Sequence, residues 1–566
     1  MGMGATRTLE RVAASLGMLQ AEEPHFEPAL DVPQGGVLIA LPALLSIGLL
    51  RRTREHFALP AGFYGIESIF MVLAFMALAR VRSLEALRYQ APGEWGKLLG
   101  LDRVPEVRTL RKKLGLLCAE GAPCLGWSSE LARDWMEENP ESAGTLLVDG
   151  HVRVYHGRLT ALPRHYISRQ RLCLRATTDY WVNALDGAPF FVISKPVDPG
   201  LIKVLTEDIV PRLKADIPGQ PDEQALAADP LLHRFTLVFD REGYSPEFFK
   251  AMKHERVAII SYHKFPAAPW PAEEFSPYDV RLINGETVEH HLAERGTALS
   301  NGLWVREVRH LDAKGHQTPI LTTDYRRPIE QVAGGQFARW SQENFFKYMR
   351  EHYGLDALVE HGTSALPDAT QVVNPAWREL DSQVRSQRSS LAREQREFGA
   401  LNLSLSGSTA EQATRFEEKK GRLLESIQQR QSQIEELKVR RKTQTRKVAI
   451  KDLPEGQRFE QLSAVRKHFL DTIKLIAYRA ETALVHVVRE RLAREDDARS
   501  FVRSVLESTV DLHPDPAAGT LRVRIHGLAS AAHNEVLRHL CAEMTETATI
   551  FPRTSLRVIF EPPGPT

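Results

Sequence analysis

The chain has 566 residues, enough for several domains that each bury a core, and 43% of them are hydrophobic. Its 73 basic and 72 acidic residues leave a formal charge of +1, so the overall charge gives no evidence for nucleic acid and any basic surface must be local. The four cysteines, Cys118, Cys124, Cys173 and Cys541, are too few for a disulfide framework, which excludes a disulfide-rich secreted protein and indicates a reduced, intracellular one.

Residues 1–135 are predicted to form a helical domain, with a weakly ordered lead-in over residues 1–30. The opening sequence lacks the apolar core and the small-residue cleavage site of a signal peptide. Two apolar runs, 36–50 and 69–79, are shorter than a comfortable membrane span, and the first contains Pro42. We therefore expect buried helices and no membrane association, and a membrane hairpin is the alternative.

A helix-turn-helix candidate lies at 93–118 within this helical domain. A short helix ends near Leu99, Asp102 and Pro105 mark the turn, and a basic amphipathic helix follows. The DNA-binding candidates are the cations of the second helix, Arg108, Arg111, Lys112 and Lys113. The alternative is a basic helix face that is only solvated.

An α/β fold with a mixed sheet is predicted after this domain. Strand-like runs at 145–155, 171–182 and 188–194 precede a helix at about 200–215, and 235–264 is typical of strand, turn, helix and strand.

The domain boundaries follow from where this alternation stops and resumes. We assign 136–262 together with 336–355 to the α/β domain, because a helix is predicted at 336–352. Residues 263–335, with short strands and turns, are predicted to be a β-rich insertion.

Two heptad-like runs of apolar residues predict an antiparallel coiled-coil hairpin over 376–450, with arms at 376–401 and 411–440. The second arm runs into KVRRKTQTRK, 438–447, in which six of ten residues are basic. This run is either a solvated helix end or a set of phosphate contacts. Residues 455–566 are predicted to form a small C-terminal α/β unit.

Three acids stand where burial makes a charge expensive. Asp149 interrupts the apolar strand TLLVDGHVRV, and Asp240 ends the apolar strand FTLVF. Glu343 lies on the largely apolar helix RWSQENFFKYM, on which we expect Trp340 to be a core residue. Carboxylates brought together from two strands and a helix suit two Mg²⁺ or Mn²⁺ ions, and paired metals serve phosphodiester chemistry. For Asp149 alone a hydrogen-bonded structural role is the alternative, and other acids compete for these roles: Asp179, Asp186, Glu242 and Asp324.

Through these three stretches the sequence resembles a DDE-type transposase of a bacterial insertion sequence, whose catalytic domain is RNase H-like. LLVDGHVRVYHG resembles the first-strand motif, LVFDREGYSPEFF the fourth-strand motif, and the segment through RWSQENFFKYM the last helix. Many such enzymes carry on this helix a Tyr, two residues, an Arg, three residues, a Glu, six residues and a Lys or Arg. Arg339, Glu343 and Arg350 keep that spacing, whereas Gln336 stands at the Tyr position. The resemblance covers about 140–355.

The resemblance implies that Asp149, Asp240 and Glu343 are catalytic and bind two Mg²⁺ or Mn²⁺ ions. It implies cleavage of a transposon end by water, then attack of the freed 3′-hydroxyl on target DNA, with Arg339 and Arg350 contacting phosphates. The expected partners are double-stranded DNA, at the element ends and the target, and further copies of the chain in a homodimer or higher assembly. The expected location is the bacterial cytoplasm, at the nucleoid.

Two other functions stay open for this sequence. A protein that keeps the fold but has lost catalysis would act as a DNA-binding regulator, and a non-transposing nuclease would cleave without strand transfer.

Arg339 also has a purely structural alternative, a salt bridge to Glu343 four residues further along the helix.

Overall fold

The computed structural model of the protein describes residues 4–155, 162, 164–167, 172–195, 197–282, 285–357, 363–401, 410–455, 458, 460–462 and 464–564. Its strands are β1 (Ala29–Val32), β2 (Thr145–Val154), β3 (Arg164–Ile167), β4 (Leu172–Ala184), β5 (Pro189–Lys195), β6 (Phe235–Phe239), β7 (Val257–Tyr262), β8 (Ser276–Arg281), β9 (Thr287–Ala298), β10 (Trp304–Leu311), β11 (Gln317–Thr322), β12 (Thr363–Ala365), β13 (Gln371–Val373), β14 (Lys447–Ala449), β15 (Glu460–Leu462), β16 (Val510–Asp515), β17 (Thr520–Ile525) and β18 (Arg557–Glu561).

The α helices are α1 (Thr8–Ser15), α2 (Leu41–Ile47), α3 (Thr53–His56), α4 (Ile66–Leu78), α5 (Pro92–Lys97), α6 (Val107–Leu117), α7 (Gly121–Glu138), α8 (Pro140–Ala143), α9 (Leu201–Val204), α10 (Val210–Asp216), α11 (Glu223–Ala228), α12 (Pro246–His254), α13 (Ile329–Phe337), α14 (Arg339–His352), α15 (Pro375–Ala400), α16 (Ala410–Lys442), α17 (Ala464–Arg489), α18 (Ala498–Leu506) and α19 (Ala531–Glu546). The chain divides into two compact units: the larger consists of residues 1–154, 177–361 and 463–566, and the smaller of residues 155–176 and 362–462. The mixed α/β class predicted from the sequence is confirmed.

A mixed sheet forms the centre of the larger unit, with the strand order β5-β4-β2-β6-β7-β11-β10-β9-β8. The strands β2, β6 and β7 are parallel neighbours, and β11 pairs with β7 in the antiparallel direction. The strands of residues 263–335 therefore continue the edge of the central sheet beyond β7.

Apolar side chains cover both faces of the parallel strands. Leu146 and Val148 contribute to the large hydrophobic cluster on one face, whereas Leu147 and Val238 pack on the other face with Val332 of α13. This pattern explains why the sequence of β2 and β6 is continuously apolar, as is usual for parallel strands buried on both faces.

Buried helices complete the larger unit. Eleven of the 13 residues of α4 are buried, and α4 packs along α17, which is itself mostly buried. The apolar run 69–79 therefore belongs to a core helix, as the sequence predicts, and 36–50 includes the equally apolar α2. Within the described part of the chain, no helix is long and apolar enough to cross a membrane.

The prediction of a weakly ordered lead-in over residues 1–30 is wrong for the part that the structure describes. This segment holds α1 and the start of β1, and β1 pairs with β16 so that Val32 lies opposite Val510. Arg11 on α1 donates from Nε to Asp102 Oδ2 at 2.9 Å. These partners lie far along the sequence, so the local composition gave no sign of them. β1, β16, β17 and β18 together form a four-stranded sheet.

The helix predicted at 336–352 is two helices in the structure. The first, α13, begins after Pro328, and a one-residue break at Ala338 separates it from α14. Gly334 and Gly335 precede the break, and paired glycines are a common place for a helix to bend. The second helix, α14, carries the three positions that the sequence singled out.

The smaller unit contains two long helices, α15 and α16, that pack along each other. Val384 of α15 and Ile427 and Ile434 of α16 are buried at heptad-like positions. The turn predicted between the two arms lies outside the described residues. Two short antiparallel pairs, β13 with β14 and β12 with β15, lie beside the helices, and β3 pairs with the first residues of β4.

Candidate active site

Two of the three predicted acids lie side by side where the parallel pairing of β2 with β6 ends. In the pairing of β2 with β6, Leu147 lies opposite Val238. Asp149 and Asp240 each follow two residues later, so the register puts them opposite each other, and the alternation of a strand puts both on the face of Leu147 and Val238. Tertiary pairing has thus joined two acids that are far apart in the sequence.

The local backbone holds both carboxylates. Asp240 ends β6 and accepts a hydrogen bond at Oδ1 from the N–H of Glu242 at 2.8 Å, which fixes the turn after the strand. Its carbonyl oxygen accepts from Ser261 Oγ at 3.1 Å on the neighbouring strand. Asp149 Oδ1 accepts from the N–H of Gly150 at 2.8 Å. Both backbone hydrogen bonds use Oδ1, so Oδ2 of each acid can take another partner.

The third acid, Glu343, lies on the exposed side of α14. Arg339 and Arg350 fall on nearly the same face as Glu343, because steps of four and seven residues return to one side of an α helix. Arg339 Nη2 lies 3.5 Å from Asp149 Oδ2. Arg339 therefore contacts Asp149, and among the described ion pairs it has none with Glu343, so the proposed structural bridge along the helix is not formed.

The three acids interact electrostatically. Burial, together with the charges of Asp240 and Glu343, raises the pKa of Asp149 from 3.8 to about 6, although Arg339 and the N–H of Gly150 oppose the change. Burial is the largest cause of this rise, and the two neighbouring acids add negative charge around Asp149. Such a site favours a bound cation.

Two further acids extend the negative region. Burial raises the pKa of Glu242 to about 7, and Asp198, Asp240 and Asp149 add to that effect. Asp198 accepts from Tyr180 Oη at 2.5 Å, and burial and this contact raise the pKa of Tyr180. Glu242 was a competing acid in the sequence, whereas Asp198 was missed because it follows no motif and lies beyond the end of β5.

A buried network fixes the helix that carries Glu343. Glu481 of α17 is fully buried and lies 2.7 Å from Arg80 Nη2. The hydroxyl groups of Tyr348 and Tyr353, in and just after α14, also donate to Glu481. The charge of Glu481 contributes to the raised pKa of Tyr348, after burial. The network joins α14 to α17 and so restricts where Glu343 can lie.

Hydrogen bonds to the end of β4 hold the start of α14. Gln342 donates from Nε2 to Asn183 Oδ1 at 2.9 Å and to the carbonyl of Trp181 at 3.2 Å. Ser341 Oγ donates to the carbonyl of Leu185 at 2.7 Å. The first turn of α14, which carries Arg339, is thereby anchored to the sheet.

Arg350 lies at the other end of the predicted signature, near a second ion pair. His151 Nε2 is 2.6 Å from Asp356 Oδ1, and its ring stacks on Phe346. Burial opposes a low pKa for Asp356, but the His151 hydrogen bond and the charge of Arg350 outweigh it and lower the pKa. Arg350 Nε is buried without a hydrogen-bond partner among the described residues.

The structure also shows how far Trp340 and Gln336 are buried. Trp340 is 68% exposed, so the prediction that it is a core residue is wrong. Its position on α14 faces away from Phe345 and Met349, the residues that pack inward. Gln336, at the Tyr position, is fully buried on α13, and neither its side-chain oxygen nor its nitrogen has a hydrogen-bond partner among the described residues.

The second helix of the helix-turn-helix candidate at 93–118 is α6, which is amphipathic as predicted. Arg108, Arg111 and Lys112 are exposed on α6, whereas burial and the charge of Lys112 lower the pKa of the half-buried Lys113. Arg111 pairs with Glu85 at 2.5 Å. Residues 98–106 separate α5 from α6, a longer connection than the three or four residues of a helix-turn-helix. DNA binding by α6 stays a prediction.

The donor set of the acidic site fits divalent cations that prefer oxygen ligands. The carboxylate oxygens of Asp149, Asp240 and Glu343 do not all come within 4.8 Å of one another in the described structure. The charges of Asp240 and Glu343, which add to the effect of burial on the pKa of Asp149, are charges that a cation would offset.

The geometry thus defines a mixed α/β protein with an acidic centre at one end of its parallel strands. The model of a family described as "Transposase protein" matches residues 2–562. The match spans nearly the whole chain, and the protein belongs to this transposase family. A search of curated proteins finds no match.

Proposed function

We propose that this protein is a DDE-type DNA transposase that cleaves the ends of its element and joins them to target DNA. The observation that carries the proposal is the pairing of Asp149 with Asp240 on neighbouring strands, with the charge of Glu343 acting on Asp149. Two of these acids lie opposite each other on β2 and β6, and the charges of Asp240 and Glu343 contribute to raising the pKa of Asp149 to about 6.

The order of the central strands supports an RNase H-like catalytic domain. The order β5-β4-β2-β6-β7 places the first strand of the fold in the centre, with the next two strands on one side and the last two on the other. In this arrangement the first and fourth strands, β2 and β6, are adjacent, which brings their acids together. The insertion before α14 then extends the sheet at β7.

Asp149, Asp240 and Glu343 would hold two Mg²⁺ or Mn²⁺ ions. When bound, such ions activate the attacking oxygen of water or of a 3′-hydroxyl and stabilise the leaving oxygen in an in-line displacement. The chain contributes fixed carboxylates, and the network of Glu481 keeps α14 in place, so positioning and charge supply most of the catalysis.

Arg339 and Arg350 would contact phosphates on either side of the cleavage position. Arg339 is beside Asp149, and Arg350 lies about three helical turns away on the same face of α14. Guanidinium groups bind phosphate in a bidentate way, which favours arginine over lysine at such positions.

The proposed partner is double-stranded DNA, from the element ends and the target, with Arg108, Arg111, Lys112 and Lys113 of α6 as further contacts. Two ends must be held together for joining, so we propose a homodimer or a higher assembly. The proposed location is the bacterial cytoplasm, at the nucleoid.

The test is cleavage of DNA that carries the ends of the element, with Mg²⁺ or Mn²⁺ and with a chelator as the metal-free control. Glu343→Gln should slow cleavage by at least about a hundredfold, the scale of losing one group that stabilises a transition state. Glu351→Gln removes the same charge from an exposed position about two turns along the same helix and should cleave like the wild type.

Three results would contradict parts of this proposal. DNA binding without any metal-dependent cleavage by the wild type would favour an inactive regulator. Cleavage without joining of the 3′-ends to target DNA would favour a nuclease of the same fold. Equal cleavage by the Glu343 and Glu351 variants would remove Glu343 from the site.

A further inference from the structure

Charge is distributed unevenly between the two units. Residues 155–176 and 362–462, the smaller unit, contain 23 basic and 14 acidic residues, a formal charge of +9, whereas the whole chain carries +1. The larger unit, which holds the acidic centre, is therefore net negative. A local excess of positive charge of this size, in a nearly neutral protein, favours binding of a partner with negative charge.

Residues 155–176 supply five of these nine charges, and within residues 362–462 cations gather at one end of the α15–α16 hairpin. The chain leaves α16 at Lys442 and returns beside the start of α15, where Lys447 on β14 lies opposite Val373 on β13. The N–H of Asn374 donates to the carbonyl of Arg446 at 3.0 Å. This pairing brings the cations around the end of α16 to the first turn of α15.

An aromatic ring lies close to two of these cations. The guanidinium groups of Arg441 and Arg446 lie 5.6 and 5.4 Å from the centre of the Trp377 ring. Asp381 offsets the charge of Arg441, because their ion pair has a distance of 2.5 Å. Arg385 shares the same carboxylate at 2.8 Å. Asp381 is thus already used by two arginines.

The remaining cations lack such compensation in the described part of the chain. Arg440, Lys442, Arg446 and Lys447 are exposed and form no ion pair within the described residues. Arg378, one turn into α15, also forms none there, and burial and the charge of Arg164 on β3 lower its pKa. We call these five residues, Arg378, Arg440, Lys442, Arg446 and Lys447, the basic surface.

The rest of the hairpin is balanced. Glu394 pairs with Arg430 at 2.6 Å, and Glu397 pairs with Lys419 at 3.2 Å. Basic residues in the last turn of a helix also favour its dipole, which accounts for Arg440 and Lys442 in part. The dipole does not account for Arg446 and Lys447, which lie beyond the helix, or for Arg378, which lies near the start of α15.

We propose that the basic surface binds the phosphate backbone of double-stranded DNA without reading its sequence. Its cations lie on α15, on α16 and in the segment that follows α16, and the phosphates of a duplex would supply their counter-charges. Each cation gains a counter-charge that the described residues do not supply. The inference rests on the proposed function for the nature of the partner, but it concerns a contact remote in sequence from the three acids.

The experiment measures binding of the full-length protein to a labelled duplex of random sequence, by fluorescence anisotropy at several salt concentrations. The test variant combines Arg440→Gln, Lys442→Gln and Lys447→Gln, which removes cations that make no ion pair and no ring contact within the described part of the chain. We expect weaker binding and a salt-dependence slope smaller by up to about one for each cation removed.

The matched control combines Arg393→Gln, Arg396→Gln and Arg415→Gln, which removes three exposed cations of α15 and α16 that do not belong to the basic surface. Its net charge equals that of the test variant, so long-range attraction changes equally in both. We expect its slope to stay near that of the wild type. Unchanged circular dichroism of both variants verifies folding.

The outcomes separate this inference from the proposed function. Equal slopes for the test and control variants, with metal-dependent cleavage intact, would overturn the inference and leave the proposed function standing. Tighter binding of single-stranded RNA than of the duplex by the basic surface would overturn the choice of partner. If the wild type binds no duplex at all, both the inference and the proposed function are wrong.

Discussion

Replacing Asp149 by Asn should stabilise the metal-free protein at neutral pH. Asn has nearly the shape of Asp but no charge, so it removes the unfavourable burial of a carboxylate beside two other acids. A residue of the proposed active site that costs stability in the absence of a metal is expected where function and folding compete. The substitution therefore tests the electrostatics of the site independently of catalysis.

The size of the expected gain in the free energy of unfolding follows from the pKa of Asp149. A rise from 3.8 to about 6 corresponds to about 3 kcal/mol against the charged form. The Asp149 side chain is 22% exposed, and solvent screening reduces the effect, so we expect a gain of about 2 kcal/mol. Asp279→Asn, at an exposed position on β8 of the same unit, should change stability by less than about 0.5 kcal/mol.

The raised pKa of Asp149 also predicts how the stability difference between variant and wild type changes with pH. Between the unfolded pKa of 3.8 and the folded pKa of about 6, the folded protein holds the extra proton on Asp149, so the wild type loses stability as pH rises through this window. The advantage of Asp149→Asn should be absent below that window, grow through it and stay constant above it. Urea unfolding in a chelator, from about pH 4.5 to about pH 7.5, measures the difference. A variant that is less stable than the wild type at about pH 7, or a difference that does not vary with pH, would refute the reasoning.

Two other predictions concern buried polar groups. Gln336→Leu should raise the free energy of unfolding by about 1–2 kcal/mol, because both polar atoms of this side chain are buried without partners among the described residues. Its matched control, Gln342→Leu, should lower stability by a similar amount, because Gln342 donates two hydrogen bonds to β4. Glu481→Ala should lower stability by about 3–5 kcal/mol, since it leaves Arg80 buried without its partner carboxylate. Urea unfolding monitors all three, and a neutral Glu481→Ala would show that the network does not hold α14.

Patterns along the chain were sufficient to find most of the elements that matter for function. The apolar runs before Asp149 and Asp240 predict strands that end within a few residues of those in the structure, because a strand buried on both faces must be continuously apolar. The heptad-like spacing predicts α15 and α16, because side chains three and four residues apart share one side of a helix. In each case the signal is a period set by local backbone geometry.

Pairings between distant segments could not be predicted in this way. The sequence offers a salt bridge to Glu343 as the structural role of Arg339, and only the packing of α14 against β2 brings Arg339 beside Asp149. Asp198 joins the acidic centre, and β1 pairs with β16. No periodic pattern in the sequence marks either of these contacts.

The sequence by itself determined which acids are expensive to bury, that the chain is mixed α/β, and that its cations cluster near residue 440. The tertiary structure decided which acids meet, because the register of β2 with β6 places Asp149 opposite Asp240. It also decided which cations are neutralised, since Asp381 pairs with Arg441 but no described acid pairs with Arg446. Charge compensation depends on distances of a few ångströms between elements, and only the folded chain sets those distances.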